Sequence, residues 1–224
     1  MKSKFSLTLL SFLVVLQVSC QQVDPKKRKT NTTNIVPVEV ASSDGFKRAY
    51  FASGCFWCVE AIYESLKGVE ESISGYSGGH TKNPTYESSN TGKTGHAEAV
   101  EIIYNPEIIS FKLLVDVYFG SQNISQVNGQ GNDIGSQYRS IIFYQNEKEK
   151  NIIADKIKAL YKENPDRKIA AEVMPFQKFW IAEKYHQNYE RLHPNNSYIQ
   201  NVSIPRLKRF KNKFPELLKE NNKH

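Results

Sequence analysis

Apolar positions recur at a period of two in some stretches and near 3.6 in others, and the switches between them mark the elements. Lys47–Ser53 reads as a strand that runs into a turn at Gly54. From Cys55 to Leu66, the residues Phe56, Val59, Ile62, Tyr63 and Leu66 fall on one helical stripe, which Gly68 ends. Val69–Tyr76 is predicted as a strand, followed by a Gly/Pro/Asn/Ser loop to about Gly95. His96–Tyr104 alternates as a strand, in a register that puts Glu98 on the same face as Val100 and Ile102, the face that is normally buried. Ser110 caps a predicted helix over Phe111–Phe119 that stops at Gly120. A polar loop, Ser121–Gln137, leads to a strand at Tyr138–Tyr144 and then to an amphipathic helix over Glu147–Glu163, which carries Ile152, Ile153, Ile157 and Leu160. A short strand near Ala170–Met174 and a helix near Ile181–Leu192 follow. The order β-α-β-β-α-β-α predicts an α/β (α+β) protein, a two-layer α/β sandwich with a mixed sheet. Loops as long as the two polar ones are usually functional or disordered.

The first 44 residues follow neither period. Met1-Lys2-Ser3-Lys4 is a short positive segment, and Phe5–Val18 is a mostly apolar run of 14 residues. A bilayer takes about 20 helical residues to cross, so this run has the proportions of a secretory signal peptide. Leu16-Gln17-Val18-Ser19-Cys20 resembles the lipobox of bacterial lipoproteins, with Gln17 where an aliphatic residue is more usual. The expected organisation is a signal peptide over 1–19 and a lipidated Cys20 opening a solvated tether over 20–44. A catalytic domain over 45–205 and a basic tail over 206–224 complete it. The expected location is an exported lipoprotein facing the periplasm or cell exterior, held to the membrane through Cys20.

Composition matters where it bears on partners. The 224 residues are 39% hydrophobic, 12% aromatic and 24% charged, which excludes a largely disordered chain or a polytopic membrane protein and suits one sizeable core. The formal net charge of +7 invites a nucleic-acid reading. Its distribution argues against one. Residues 1–44 carry six basic and three acidic side chains, and 206–224 carry seven and two, leaving 17 basic against 18 acidic in the expected domain. A nucleic-acid surface needs its cations on the folded face that meets the phosphates.

Candidate chemistry centres on Gly54-Cys55-Phe56-Trp57-Cys58, at a strand-to-helix junction. A cysteine in the first helical turn faces unpaired N–H groups and the positive end of the dipole, which favour the thiolate. Cys58 lies one turn on, within reach of Cys55. With three cysteines in all and Cys20 given to lipid, no second Cys-x-x-Cys completes a zinc site, and His80, His96, His186 and His193 include no paired ligand spacing. Gly92-Lys93-Thr94 lacks the first glycine of a phosphate loop, because Glu87 stands there, and Gly129-x-Gly131 lacks a third glycine at Ile134. A general thiol–disulfide oxidoreductase acting through Cys55 and Cys58 is the alternative enzyme.

Several blocks together resemble one family. They are Gly54-Cys-Phe-Trp57, Gly75-Tyr-Ser-Gly-Gly-His80 with Asn83-Pro-Thr-Tyr86, Thr94-Gly-His-Ala-Glu98-Ala-Val, Gln130-Gly-Asn-Asp133 through Gln137-Tyr138-Arg139-Ser, and Ala182-Glu183-x-Tyr185-His186-Gln187. Their types and order are similar to those of the peptide methionine sulfoxide reductases of the A type. The resemblance implies a ferredoxin-like plait and the reduction of methionine S-sulfoxide, free or within proteins. It implies Cys55 as nucleophile, Glu98 as acid, Phe56 and Trp57 as walls of a methyl slot, and Tyr86, Asp133 and Tyr138 around the sulfoxide oxygen. Cys58 would resolve the Cys55 sulfenic acid as a Cys55–Cys58 disulfide, which a thioredoxin-like reductant recycles, with no bound cofactor or metal and with the protein acting as a monomer. The chain departs from the family in three places. Many members have glycine at position 58 and resolve through distant C-terminal cysteines, and this sequence has none beyond Cys58. Gln122-Asn123-Ile124-Ser125 replaces a usual His-Asp-Pro-Thr, and Gly129 replaces a common arginine.

Overall fold

The structure is a computed structural model and describes residues 35–220; the expected signal peptide, Cys20 and the first part of the tether lie outside the described residues. Strands β1 (Lys47–Ser53), β2 (Val69–Ser77), β3 (Ala97–Tyr104) and β6 (Ser140–Tyr144) form the middle of a six-stranded sheet. Two short edge strands, β7 (Glu172–Pro175) and β8 (Phe179–Ile181), complete the order β7-β6-β1-β3-β2-β8. Only β6 and β7 pair in parallel, so the sheet is mixed, as its sequence predicts. Helix α1 (Phe56–Glu64) links β1 to β2 and α3 (Phe111–Gly120) links β3 to β6. The four central strands therefore follow the ferredoxin-like β-α-β-β-α-β connection. A separate two-stranded hairpin, β4 (Gly129–Gln130) and β5 (Asp133–Ile134), projects from the long loop before β6.

One face of the sheet and the helices hold the main core. Every residue of the stripe predicted for α1 is buried, including Phe56, Val59, Ile62, Tyr63 and Leu66. Ser110 accepts the Leu113 N–H at 3.2 Å and Asn146 accepts the Glu149 N–H at 3.0 Å, fixing the starts of α3 and α4 (Glu147–Glu163). The other face packs a smaller cluster in which Tyr50 stacks on Phe176 at 3.8 Å.

The helix predicted near Ile181–Leu192 is not continuous. Phe179–Ile181 is an edge strand, Lys184–His186 a 3₁₀ turn, and only Tyr189–Leu192 (α5) is helical. Side chains divert this segment. Gln187 accepts the Ser74 N–H at 2.9 Å and donates to the Ser74 carbonyl at 3.0 Å, continuing the β2 ladder beyond β8 by side chain instead of backbone. Asn188 then turns at φ 57°, which ends any helix entering it. The loop expected to run to Gly95 contains α2 (Tyr86–Asn90), started by a reciprocal Thr85–Ser88 capping box.

The boundary expected at 205/206 falls inside α6 (Ile204–Lys213). Arg206 and Phe210 of that helix are buried, and the chain beyond it returns to α1, where Lys219 N–H donates to the Ser65 carbonyl at 2.9 Å. The tail is basic on its solvent side and part of the fold on its inner side. The end of the expected tether also joins the domain, with Val38 N–H donating to the Phe176 carbonyl at 2.8 Å.

Candidate active site

The backbone places Cys55 before any side-chain contact does. Gly54 turns the chain from β1 into α1 at φ +88°, and a Cβ there would lie 2.5 Å from the Gln130 Cβ, so only glycine fits. Cys55 becomes the N-cap of α1, with Phe56 and Trp57 in the first turn and Cys58 one turn further. The β3 register puts Glu98 opposite Tyr76 and on the helix side of the sheet, 2% exposed beside Val100 and Ile102. Its Oε2 accepts the Phe56 N–H at 3.0 Å, joining the strand to the start of the helix.

A cavity of about 150 Å³ opens at this junction, lined by Cys55, Phe56, Trp57, Tyr86, Glu98, Asp133, Tyr138 and Tyr198. All of the cavity residues expected from sequence are therefore together. Tyr86 comes from α2, Asp133 from β5 and Tyr138 from the 3₁₀ turn Ser136–Tyr138, which stands where the fourth predicted strand begins. Glu183 holds α2 in place, accepting the Tyr86 N–H and the Tyr76 hydroxyl, each at 2.9 Å. Trp57 stacks on Tyr189 at 3.8 Å and donates its indole N–H to His186 Nδ1 at 3.1 Å, which requires neutral His186 with its proton on Nε2. Burial lowers the pKa of His186, in agreement.

Three residues of this site have no role in the sequence reading. Tyr198 lines the cavity, donates to Asp133 Oδ2 at 2.6 Å and lies 3.7 Å from Cys58 Sγ. An isolated aromatic within Asn195-Asn196-Ser197-Tyr198 carries no periodic signal. Glu183 and His186 belong to a quoted block, but their work depends on contacts 97 and 129 residues away in sequence.

Burial governs the charges. It pushes the Glu98 carboxyl up to about 8, outweighing the hydrogen bond from Phe56, so the group is largely protonated at neutral pH. It also pushes the Cys55 thiol well up, reinforced by the hydrogen bond and charge of Cys58 and by Glu98. This opposes the thiolate favoured at Cys55 by its helix position, because the sulfur loses water on burial. Cys58 goes the other way. The hydrogen bond from Cys55 brings it down to about 6 against the opposing effect of burial, with Arg206 assisting. Near pH 7 the pair thus holds one negative charge and one proton, the charge resting on Cys58.

The profile of the family described as peptide methionine sulfoxide reductase matches residues 47–218. The peptide methionine sulfoxide reductase MsrA of Pasteurella multocida is 45% identical over 173 residues, 77% of this chain and 99% of its own length. This chain belongs to the peptide methionine sulfoxide reductase family. Solved structures agree with the assignment. Methionine sulfoxide reductase A of Corynebacterium diphtheriae aligns with TM-score 0.62 at 30% identity, over 73% of this chain and 84% of that one. Mxr1 of Saccharomyces cerevisiae in its reduced form aligns with TM-score 0.64 at 29% identity, over 72% and 93%. The protein is therefore a methionine sulfoxide reductase, and the cavity at Cys55 is its candidate active site.

The departures from the family sit just behind that cavity. Gln122 accepts hydrogen bonds from Gln130 Nε2 at 3.1 Å and the Ser140 hydroxyl at 2.7 Å, and Asn123 N–H donates to Gln130 Oε1 at 2.8 Å. The replaced block still fixes Gln130, whose neighbour hairpin carries Asp133.

Proposed function

We propose that Cys55 attacks the sulfur of a methionine S-sulfoxide while Glu98 protonates the departing oxygen. The supporting observation is the convergence of a cysteine, a buried protonated carboxyl and two aromatic walls on one small cavity. Sulfoxide oxygen leaves poorly unless protonated, and a carboxyl titrating near 8 retains its proton at neutral pH while remaining able to give it up. Cys55 passes its own proton to the Cys58 thiolate as its sulfur attacks, so no thiolate at Cys55 has to persist in the buried resting site. Phe56 and Trp57 enclose the S-methyl group. Burial raises the pKa of both Tyr86 and Tyr138 hydroxyls, keeping them neutral donors to the sulfoxide oxygen.

The bond formed between the two sulfurs then breaks, its electron pair stays with the substrate sulfur and the hydroxyl passes to the Cys55 sulfur, leaving methionine and a Cys55 sulfenic acid. Cys58 then attacks the Cys55 sulfur, water leaves, and a Cys55–Cys58 disulfide forms. A thioredoxin-like dithiol reduces it, and no cofactor or metal takes part. Cys58→Ser should therefore still yield one methionine per chain, more slowly because the proton acceptor is gone, and lose steady-state turnover with thioredoxin at least about tenfold. Dimedone labelling and mass spectrometry should find sulfenic acid accumulating at Cys55, and unchanged thioredoxin-driven turnover would contradict the assignment. A general thiol–disulfide oxidoreductase would have no use for a protonated Glu98 beside the cysteine, which favours the reductase reading.

The sequence of Met1–Cys20 supports an exported enzyme tethered by lipid at Cys20. In a bacterial host, Cys20→Ala should move the protein from the membrane to the soluble fraction and abolish labelling by radioactive palmitate. Equal labelling of both forms would rule out that anchor.

A further inference from the structure

The two cysteines, both buried, border different cavities. Cys55 lines the small cavity with Glu98, whereas Cys58 lines a separate one of about 510 Å³ between α6 and the loop after α3; Asp133 borders both. The second cavity has a charge that the first lacks. Arg206, Arg209 and Lys213 line it, spaced so that they share one face of α6, and α6 contains no acidic residue. Arg206 is 8% exposed, donates only to the Ser121 carbonyl at 3.2 Å and the Ser53 hydroxyl at 3.4 Å, and forms no ion pair among the described residues. Arg209 and Lys213 are exposed at the rim. Arg206 helps hold the charge on Cys58, whereas sulfoxide reduction uses neither Arg209 nor Lys213.

We propose that this basic cavity is the docking surface for the protein reductant, which attacks the disulfide at Cys58 from the α6 side. This rests on the Cys55–Cys58 disulfide argued above. The fitting partner is a dithiol protein of the thioredoxin class with acidic side chains around its exposed thiol. Charge complementarity carries the choice: three cations and a single acid, Asp133, already bonded to Tyr198, border the approach to Cys58. The reductant's thiolate forms a bond to Cys58 Sγ, the Cys55–Cys58 bond breaks, and Cys55 leaves with the electron pair and takes up a proton. The reductant's second thiol then displaces Cys58 from the mixed disulfide. The reductant ends oxidised and both cysteines reduced. Reductant and methionine sulfoxide reach opposite sides of the pair, so a spent enzyme can be recycled without emptying the sulfoxide cavity through the same opening.

Arg209→Glu with Lys213→Glu tests this in the full chain. Steady-state kcat/KM for a reduced, acidic thioredoxin should fall at least about tenfold, within the range of electrostatic steering, and lose its dependence on salt. Turnover driven by uncharged dithiothreitol should hold its wild-type rate. Lys208→Glu, on the same helix but outside the cavity, changes net charge alone and should retain thioredoxin turnover. Equal losses with dithiothreitol and thioredoxin would overturn the proposal, as would an unaffected thioredoxin rate or a Lys208→Glu loss as large as the double variant's. If mass spectrometry after a single turnover finds no Cys55–Cys58 disulfide, the recycling scheme itself fails. If the disulfide forms and thioredoxin remains indifferent to α6, only the docking surface fails.

Discussion

Cys55→Ser should reduce methionine sulfoxide turnover to background, a loss of more than about 10⁴-fold of the kind seen when a nucleophile is removed. The second cysteine offers no escape. Cys58 lines the cavity on the α6 side and is absent from the wall that holds Glu98, so its sulfur does not face the protonated acid. A serine hydroxyl in place of the thiol lacks the sulfur that has to accept oxygen. Chromatographic quantitation of methionine from a methionine S-sulfoxide substrate reads the loss, and circular dichroism establishes that the variant is folded. Residual turnover near the wild-type rate would move the nucleophile elsewhere.

Glu98→Gln should cost about 10²–10⁴-fold in sulfoxide reduction, the range for loss of a positioned general acid. Glutamine preserves the shape and the acceptor for the Phe56 N–H but has no proton to give. The pH dependence separates this role from a structural one. In the wild type, activity should rise as the cysteine pair acquires its negative charge near pH 6 and fall as Glu98 loses its proton near pH 8. The high-pH fall should vanish in Glu98→Gln. Stability should follow the same group with a definite sign. The folded state holds the Glu98 proton more tightly than the unfolded chain, so wild-type stability should decline as pH rises from about 4.5 to about 8. At about 1.4 kcal/mol per pH unit that is a few kcal/mol, and chemical denaturation at several pH values should show it shrink in Glu98→Gln. A wild-type profile without a high-pH limb would contradict a protonated acid.

Much of this site was readable from residue order because its parts sit on regular elements. A strand period placed Glu98 on the buried face, and a helical stripe fixed α1 behind Cys55. Tyr86, Asp133 and Tyr138 came only from their resemblance to family blocks, since each stands in a loop whose path depends on distant contacts such as Glu183 with Tyr86. The misread segment after Ile181 failed for the same reason: Gln187 bonds to Ser74 across the fold, and no local propensity encodes that. Helix α6 did carry a signal. Pro205 in its first turn and the spacing of Arg206 and Phe210 suit an amphipathic helix, although the density of lysine and arginine gives the segment the look of a charged tail. Helix position favours charge on Cys55 locally, whereas the opposing burial of its sulfur is a property of the assembled site.

The most direct measurement is a single turnover with the fully reduced protein, no added reductant and excess methionine S-sulfoxide. It should yield one methionine per chain, the loss of two free thiols and a Cys55–Cys58 linkage in the peptide map. Absence of methionine, or methionine formed while both thiols remain free, would contradict the mechanism.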